Sequence, residues 1–468
     1  MEKADVLLIE LADGELERLL SSLPAGRFGR LGVFLEIMRV FDYWAIYKHE
    51  MSEAQSGTAA ECYVMNLGWD LAIEHLFSGL DRPGFPMTES TPESRLNAKY
   101  LLFRFGLVAY LRNLASFAKA NLAEVSRECG RVVVRLKESI KYQVMDALEY
   151  ELTAKLDLSI KNSSSAIVNG WEKFEFGSDF DGISELGAFY GVNNSEVHSD
   201  KRIEDLELLM KPLIFPFDYG RGVMMGYDAL PEIDAHYFSY ALDYVMSARD
   251  IAGLHPDVEI NGVRAPHLIV VVAVVLALHC KHIGFANIAR FSFSEISIPQ
   301  SLTIWTTRED LCETVEVHTG FDRDLITAAL DTICYGERDL TWHKSGGHLR
   351  PLLFDMGNGM ILRPLSSLLR NPFYSIIEMQ HKRDNKFINM LSSPREDWFR
   401  NHLYHLFMGN RYLRIPGNIK LRHEGRVLTD IDGVVYDTLS GGLAFFQLKW
   451  QDSFTHDVNK MRSKAKNL

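Results

Sequence analysis

The 468-residue sequence predicts an α+β, multidomain chain. A large, mainly α-helical N-terminal region with a small β-hairpin element precedes a C-terminal α/β module ordered helix, three strands, helix. Three observations predict this. Apolar residues recur at helical spacing through most of residues 1–380. A Gly-Asn-Gly turn between two apolar runs interrupts them near residue 358. Beyond residue 384 the pattern changes to a capped helix and short alternating strands. The expected divisions are a helical domain at 1–192, a mainly helical domain with the hairpin near 350–364 at 193–384, and the module at 385–468.

Helices are expected over Val6–Leu23, Leu31–Tyr47, Ala59–Leu76, Leu96–Ala120, Val132–Leu158 and Tyr237–Ala252. In Val132–Leu158, Leu136, Ile140, Val144, Leu148 and Leu152 recur every fourth residue. No fixed period of 20–50 residues marks a helical repeat. Leu268–Leu278 is the most apolar run, eleven residues where a spanning helix needs about 20, so a buried core helix is expected. The polar stretch Gly191–Glu196 reads as a loop. Leu352–Met356 and Met360–Leu362 read as hairpin strands around Gly357-Asn358-Gly359, and a helix-like segment follows at Tyr374–His381.

In the module, Ser393 suits an N-cap, Pro394 the first helical position and Glu396 the closing position of a capping box. The helix is expected to run to about Met408 and stop at Gly409, burying Phe399, Leu403, Leu406 and Phe407. Strands are expected at Ile419–His423, Arg426–Asp437 and Leu443–Trp450, and a last polar helix at Thr455–Lys466.

The charge is uneven. The whole chain carries −12, but residues 381–468 hold fifteen Lys or Arg against nine Asp or Glu. That makes the tail +6 and leaves residues 1–380 at −18, so the basic end is where a nucleic-acid partner fits, while the acidic helical region suits protein partners. Five scattered cysteines (Cys62, Cys129, Cys280, Cys312, Cys334) form no CxxC pair, which points away from a disulfide framework or structural zinc and toward a reducing cytoplasm. The start Met1-Glu2-Lys3-Ala4-Asp5 lacks the basic and apolar regions of a signal peptide.

The residues that carry chemistry lie in two of the expected strands. Alternate side chains on a strand share a face, so Asp430 and Asp432 would point one way, with Val427, Ile431 and Val435 on the other. Gln447 and Lys449 would share a face of the next strand. Antiparallel pairing would bring Asp432, Gln447 and Lys449 together. A carboxylate, a metal-ligating oxygen and an ammonium are the groups required for metal-assisted attack on a phosphodiester.

Residues Ser393–Leu468 resemble the PD-(D/E)xK nuclease superfamily, which includes restriction endonucleases. In its helix–strand–strand–strand core the acidic residue of the second strand matches Asp432. The (D/E)xK tripeptide matches Gln447-Leu448-Lys449, a QxK variant, and a supporting helical Glu matches Glu396. The resemblance implies a Mg²⁺- or Mn²⁺-dependent endonuclease acting on DNA, with RNA as the alternative substrate, in defence against foreign DNA (antiviral defence) or in repair. Asp432 and Gln447 would hold the metal and Lys449 would assist the attacking water. A neutral amide at Gln447 adds no charge, so Asp430 or Glu396 would reinforce Asp432. The family core continues past the last helix, which implies a trimmed module or one continuing beyond Leu468. Lys460, Arg462 and Lys464 on the last helix would contact phosphates. The competing reading is a catalytically inactive, nuclease-like scaffold that binds nucleic acid or protein.

Structural explanations compete at each position. Asp430 and Asp432 would also serve as charges guarding an edge strand, Lys449 as a solvated strand residue, Glu396 as a helix cap and Trp450 as packing. Elsewhere His279, Cys280 and His282 fit core positions better than a metal site. Asp179-Phe180-Asp181-Gly182 lacks the ligands of an EF-hand, and His343 and His348 flank a flexible turn without a nucleophile. No Walker A, GxSxG or dinucleotide motif is present.

Overall fold

The computed structural model describes residues 4–24, 27–48, 50–51, 59–77, 88–137, 167–168, 171–172, 200–343, 349–415 and 419–448. Helices and several small sheets alternate along the chain in an α+β layout. Among the described residues, the chain opens with α1 (Ala4–Ser22), α2 (Arg27–Tyr47), α3 (Ala59–Leu76) and α4 (Pro92–Lys119). Thr91 caps α4: its hydroxyl accepts the Ser94 N–H at 3.0 Å, Ser94 Oγ accepts back from Thr91 N at 2.9 Å, and Pro92 takes the first helical position. The α3–α4 contact depends on two glycines. A Cβ at Gly68 would overlap the Leu102 carbonyl, and one at Gly106 the Val64 carbonyl.

The sequence expectation of a helix from Val132 is corrected. Residues Ala123–Glu128 (β1) and Arg131–Leu136 (β2) form an antiparallel hairpin, with Cys129 (φ 50°) and Gly130 (φ 78°) as its two-residue turn. Two consecutive positive φ values match the twist of paired strands, and the β-branched run Val132-Val133-Val134 favours extension. The rest of that expected helix, and the Gly191–Glu196 loop with the division at 192/193, lie outside the described residues.

Next come α5 (Asp200–Met210), the hairpin β3 (Ile214–Asp218) and β4 (Val223–Tyr227), and α6 (Pro231–Ala252). Then α7 (Ala265–Ser292) is the apolar helix expected at Leu268–Leu278, extended to 28 residues. By length and composition it could cross a membrane, but 78% of its most apolar window is buried in the protein. Its apolar run is nearly uniform around the helix because protein encloses most of it. All five cysteines are free.

After α7 follow β5 (Ile304–Thr307), α8 (Arg308–Thr319), α9 (Arg323–Ile333), β6 (Cys334–Tyr335), β7 (Leu353–Asp355) and β8 (Met360–Arg363). The expected hairpin is β7–β8, turning through Gly357, Asn358 and Gly359 at positive φ. With β6 and β5 it forms one sheet in the order β6-β7-β8-β5. This sheet divides the two largest cores. Cys334, Leu353 and Ile361 face the core built around α7, whereas Tyr335, Phe354 and Leu362 face the core of α1–α4. Strand alternation sorts the side chains, and burial on both faces explains why these strands read as unbroken apolar runs.

Asp42 on α2 is fully buried beside the sheet. Its carboxylate accepts the Ser366 N–H at 2.8 Å and the Thr303 hydroxyl at 3.0 Å, yet burial dominates and pushes its pKa up to about 6. The folded state therefore binds the proton more tightly than the unfolded chain. Stability from this group is present in acid, is lost as pH rises from about 4 to about 6, and then levels off. The full swing is about 3 kcal/mol at 1.36 kcal/mol per unit. Asp42→Asn should flatten it: urea denaturation at pH 4.5 and 7 is expected to show the variant gaining on wild type as pH rises.

Two helices complete the frame, α10 (Pro372–Arg383) and α11 (Phe387–His405). The expected cap at Ser393 with Pro394 first in the helix is corrected. The helix begins seven residues earlier, at Phe387, and Pro394 lies inside it. An internal proline costs about 3 kcal/mol, and burial of Phe387 and Leu391 in the α7 core offsets it. Arg395 extends the attachment by donating to Gly253 O at 3.0 Å and Ala252 O at 2.7 Å, the open carbonyls at the end of α6. Trp398 is buried against the Arg249 guanidinium. The expected buried face is likewise shifted. Phe399 and Leu406 are exposed, while Arg395, Trp398 and Arg400 are buried.

Candidate nuclease-like site

Beyond α11 the chain forms β9 (Tyr412–Ile415), β10 (Ile419–His423), β11 (Arg426–Ile431), β12 (Gly433–Asp437) and β13 (Leu443–Phe446). Strand β9 had no counterpart in the expected helix–strand–strand–strand order. The long strand expected at Arg426–Asp437 is two strands in two sheets. β11 pairs with β10 in a separate hairpin, and β12 is the centre of the antiparallel sheet β9-β12-β13. The break falls at Asp432, a bend between them. Asp430 and Asp432 therefore do not share a strand face. Asp430 is exposed and lies opposite Lys420 in the hairpin.

The bend is held from three sides. Asp432 N donates to Phe446 O at 3.0 Å, and Asp432 Oδ2 accepts the Leu448 N–H at 2.7 Å. The Asp432 carbonyl accepts from Nε of Arg400, a buried side chain on α11 that also pairs with Asp397 at 2.8 Å. One turn further along α11, the Tyr404 hydroxyl accepts the Val434 N–H at 3.1 Å and donates to Ile415 O. Leu403 and Tyr404 lie against the strand at Gly433. The helix thus packs on the sheet at the point where Asp432 turns.

Pairing of β12 with β13 is antiparallel, with Gly433 opposite Phe446. The ladder ends at that pair: Asp432 bonds back to Phe446 and takes up the Leu448 N–H, so the chain segment that carries Gln447 runs beside the bend at the sheet's end. Gln447 and Leu448 lie just past β13 and not within it, which removes the strand parity expected for the tripeptide. Leu448 is buried and Gln447 exposed. Glu396 is half-buried inside α11, well past its first turn, so a capping box does not account for it. It stands one turn before Arg400, on the stripe of the helix that reaches Asp432. Lys449, Trp450, Lys460, Arg462 and Lys464 lie outside the described residues.

Among the described residues no three His, Cys, Asp or Glu side chains converge to hold a metal. Asp432 and Gln447 offer a carboxylate with one oxygen already bonded and an exposed amide. That set is small, but Mg²⁺ is commonly held by one or two carboxylates, with water and substrate phosphate supplying the rest. The residues fit such an ion in this limited form. Arg400 and Tyr404 are the positioning residues that sequence reasoning missed, although their spacing from Glu396 (i+4, i+8) places all three on one helical stripe.

His279 and His282 are core residues. The Nε2 of His282 donates to Ser301 O at 2.8 Å, Tyr227 OH lies 3.0 Å from Nδ1, and burial pushes its pKa down to about 3. His279 is fully buried and held well below the usual imidazole range by the same cause. A cleft of about 530 Å³ beside α9 and α10 includes Asp331, Arg338, Trp342, Lys382 and Arg383. Its charges serve the fold: Arg383 pairs with buried Asp339 at 2.7 Å and donates to the carbonyls of Thr332 and Cys334. Compared with known proteins, the chain matches no family model, no curated protein and no solved structure.

Proposed function

We propose that the chain is a metal-dependent nuclease that hydrolyses DNA phosphodiester bonds. The observation that supports this reading is the hydrogen bond from Leu448 N to Asp432 Oδ2, which ties the bend at Asp432 to the Gln447-Leu448 segment; Asp432 and Gln447 are the two positions that the PD-(D/E)xK resemblance assigns to metal binding. Asp432 would contribute the anionic oxygen and Gln447 a neutral one to Mg²⁺ or Mn²⁺. Bound there, the ion supplies charge neutralisation at the phosphate and a more acidic attacking water. Lys449, two residues beyond Gln447, would orient that water and stabilise charge developing on the phosphoryl oxygens. Arg400 and Tyr404 hold the bend in place, so Asp432 approaches the substrate from a fixed backbone.

The test compares wild type with Lys449→Ala on linear, circular and single-stranded DNA in Mg²⁺ and in Mn²⁺. Removal of one charge-stabilising group costs about 10²–10³ in rate, so the variant should fall by that factor and EDTA should silence wild type. Equal cleavage by both proteins overturns the assignment. Absence of cleavage in either metal favours the alternative, a nuclease-like binding scaffold, to which the single free oxygen of Asp432 would be no handicap.

A further inference from the structure

The β10–β11 hairpin stands apart from the rest of the protein. Every residue from Lys420 to Asp430 is exposed, and the hairpin forms its own two-stranded sheet. Its base is the pair Ile419–Ile431, with Ile431 buried immediately before Asp432. Its tip is a two-residue turn, Glu424 (φ 48°) and Gly425 (φ 79°). A register shift at Leu421/Arg422 adds one residue on the returning strand, and such bulges increase twist.

Isolated two-stranded hairpins are marginally stable in water, and this one also exposes Leu421, Val427 and Leu428. Among the described residues, the Lys420, Arg422 and Arg426 side chains take no hydrogen-bond or ion-pair partner. Three cations are thus displayed on a ribbon whose foot is the candidate site. Glu424 lies in the tip turn, and Asp430 at the base faces Lys420 across the strands without forming an ion pair.

We propose that this ribbon is a duplex-DNA clamp, entering the major groove and setting the bound phosphodiester at Asp432. A two-stranded ribbon fits the B-form major groove, about 12 Å wide, whereas the A-form groove of duplex RNA is too deep and narrow to admit it. At about 3.3 Å per residue the strands extend about 16–20 Å, enough to cross a groove about 8.5 Å deep. Lys420, Arg422 and Arg426 would neutralise phosphates on either wall, and the exposed leucines and valine would meet thymine methyls. This proposal deepens the nuclease reading and rests on it for the role of Asp432, but it is tested by binding alone.

The experiment measures anisotropy of a fluorescein-labelled 20-base-pair DNA in EDTA across a salt series, so cleavage plays no part. The triple variant Lys420→Ala, Arg422→Ala, Arg426→Ala is expected to bind at least about tenfold more weakly. Its dependence of log K on log salt should be shallower by about two to three units. Lys420→Arg with Arg422→Lys and Arg426→Lys should retain binding. A measurement that needs no variant is acetylation of Lys420, read by mass spectrometry and expected to fall when the duplex is added to wild type. Wild-type affinity and salt slope in the alanine variant overturn the clamp, whatever Lys449→Ala does to cleavage. Unchanged acetylation overturns it too, as does equal, ribbon-dependent binding of duplex RNA. Ribbon-dependent DNA binding without metal-dependent cleavage overturns only the nuclease reading.

Discussion

Asp432→Asn is expected to abolish metal-dependent DNA cleavage while leaving the fold intact. The aspartate does two things that this substitution separates. Its Oδ2 accepts the Leu448 N–H, anchoring the strand end to the bend. An amide oxygen can do the same, so the turn and its backbone bonds to Phe446 and Arg400 should persist. What is lost is the negative charge, the only one the proposed Asp432–Gln447 pair possesses. A Mg²⁺ site reduced to two neutral amides has little to repay the ion's dehydration. The expected loss is at least about 10²–10³ in rate, with a thermal unfolding midpoint close to wild type. Cleavage at the wild-type rate by a folded Asp432→Asn protein would remove Asp432 from the mechanism. Asp432→Ala is the less informative change, because it leaves Leu448 N without its acceptor and can fail through local unfolding.

Gly106→Ala is expected to be among the most destabilising single-methyl changes in the protein. α3 and α4 approach so closely at Gly68 and Gly106 that each glycine lies against the other helix's backbone. The atom met by a new Cβ is a carbonyl oxygen, which cannot swing aside as a side-chain tip does. The helices must separate, and Phe105, Leu102 and Trp69, buried around the contact, would lose packing with them. Overpacking typically costs 1–3 kcal/mol and more where the backbone must move, so about 3 kcal/mol or above is expected. Alanine's better helix propensity returns only about 1 kcal/mol. Chemical denaturation of Gly106→Ala and of Gly14→Ala provides the check. Gly14 also lies in a helix but has nothing near its Cβ position, so that change should be neutral or stabilising.

The parts of the fold legible in the sequence are those governed by local periodicity. α2, α3 and α4 follow from apolar spacing, and the β7–β8 hairpin from its Gly-Asn-Gly turn, because in each the pattern that forms the element is the pattern buried. Residues 132–136 were misread since Leu136 continues a fourfold spacing, whereas the Cys129-Gly130 turn needs positive φ, for which Cys is an uncommon choice. The start of α11 was misread for the opposite reason. Ser393, Pro394 and Glu396 are a sound local cap signature, overridden by the burial of Phe387 and Leu391 against α7. At the candidate site, alternation on two strands puts Asp432 and Gln447 on shared faces, whereas Asp432 is a bend and Gln447 lies past β13. The bend at Asp432 and the fastening by Arg400 and Tyr404 were not legible, because both depend on α11 crossing the sheet, a contact that no sequence period encodes.

That helix has a mechanical meaning. Its first half is locked into the body through Phe387, Leu391 and Arg395, and its second half grips the bend and sheet through Arg400 and Tyr404. It acts as an axle shared by two wheels. Each residue of an α-helix turns the chain by about 100° and advances it about 1.5 Å. A one-residue insertion between Trp398 and Arg400 would thus swing the Arg400 guanidinium a quarter-turn off Asp432 while the body stayed undisturbed. Conversely, the helix is expected to carry a displacement of the end of α6, where Arg395 is fastened, to the bend at Asp432.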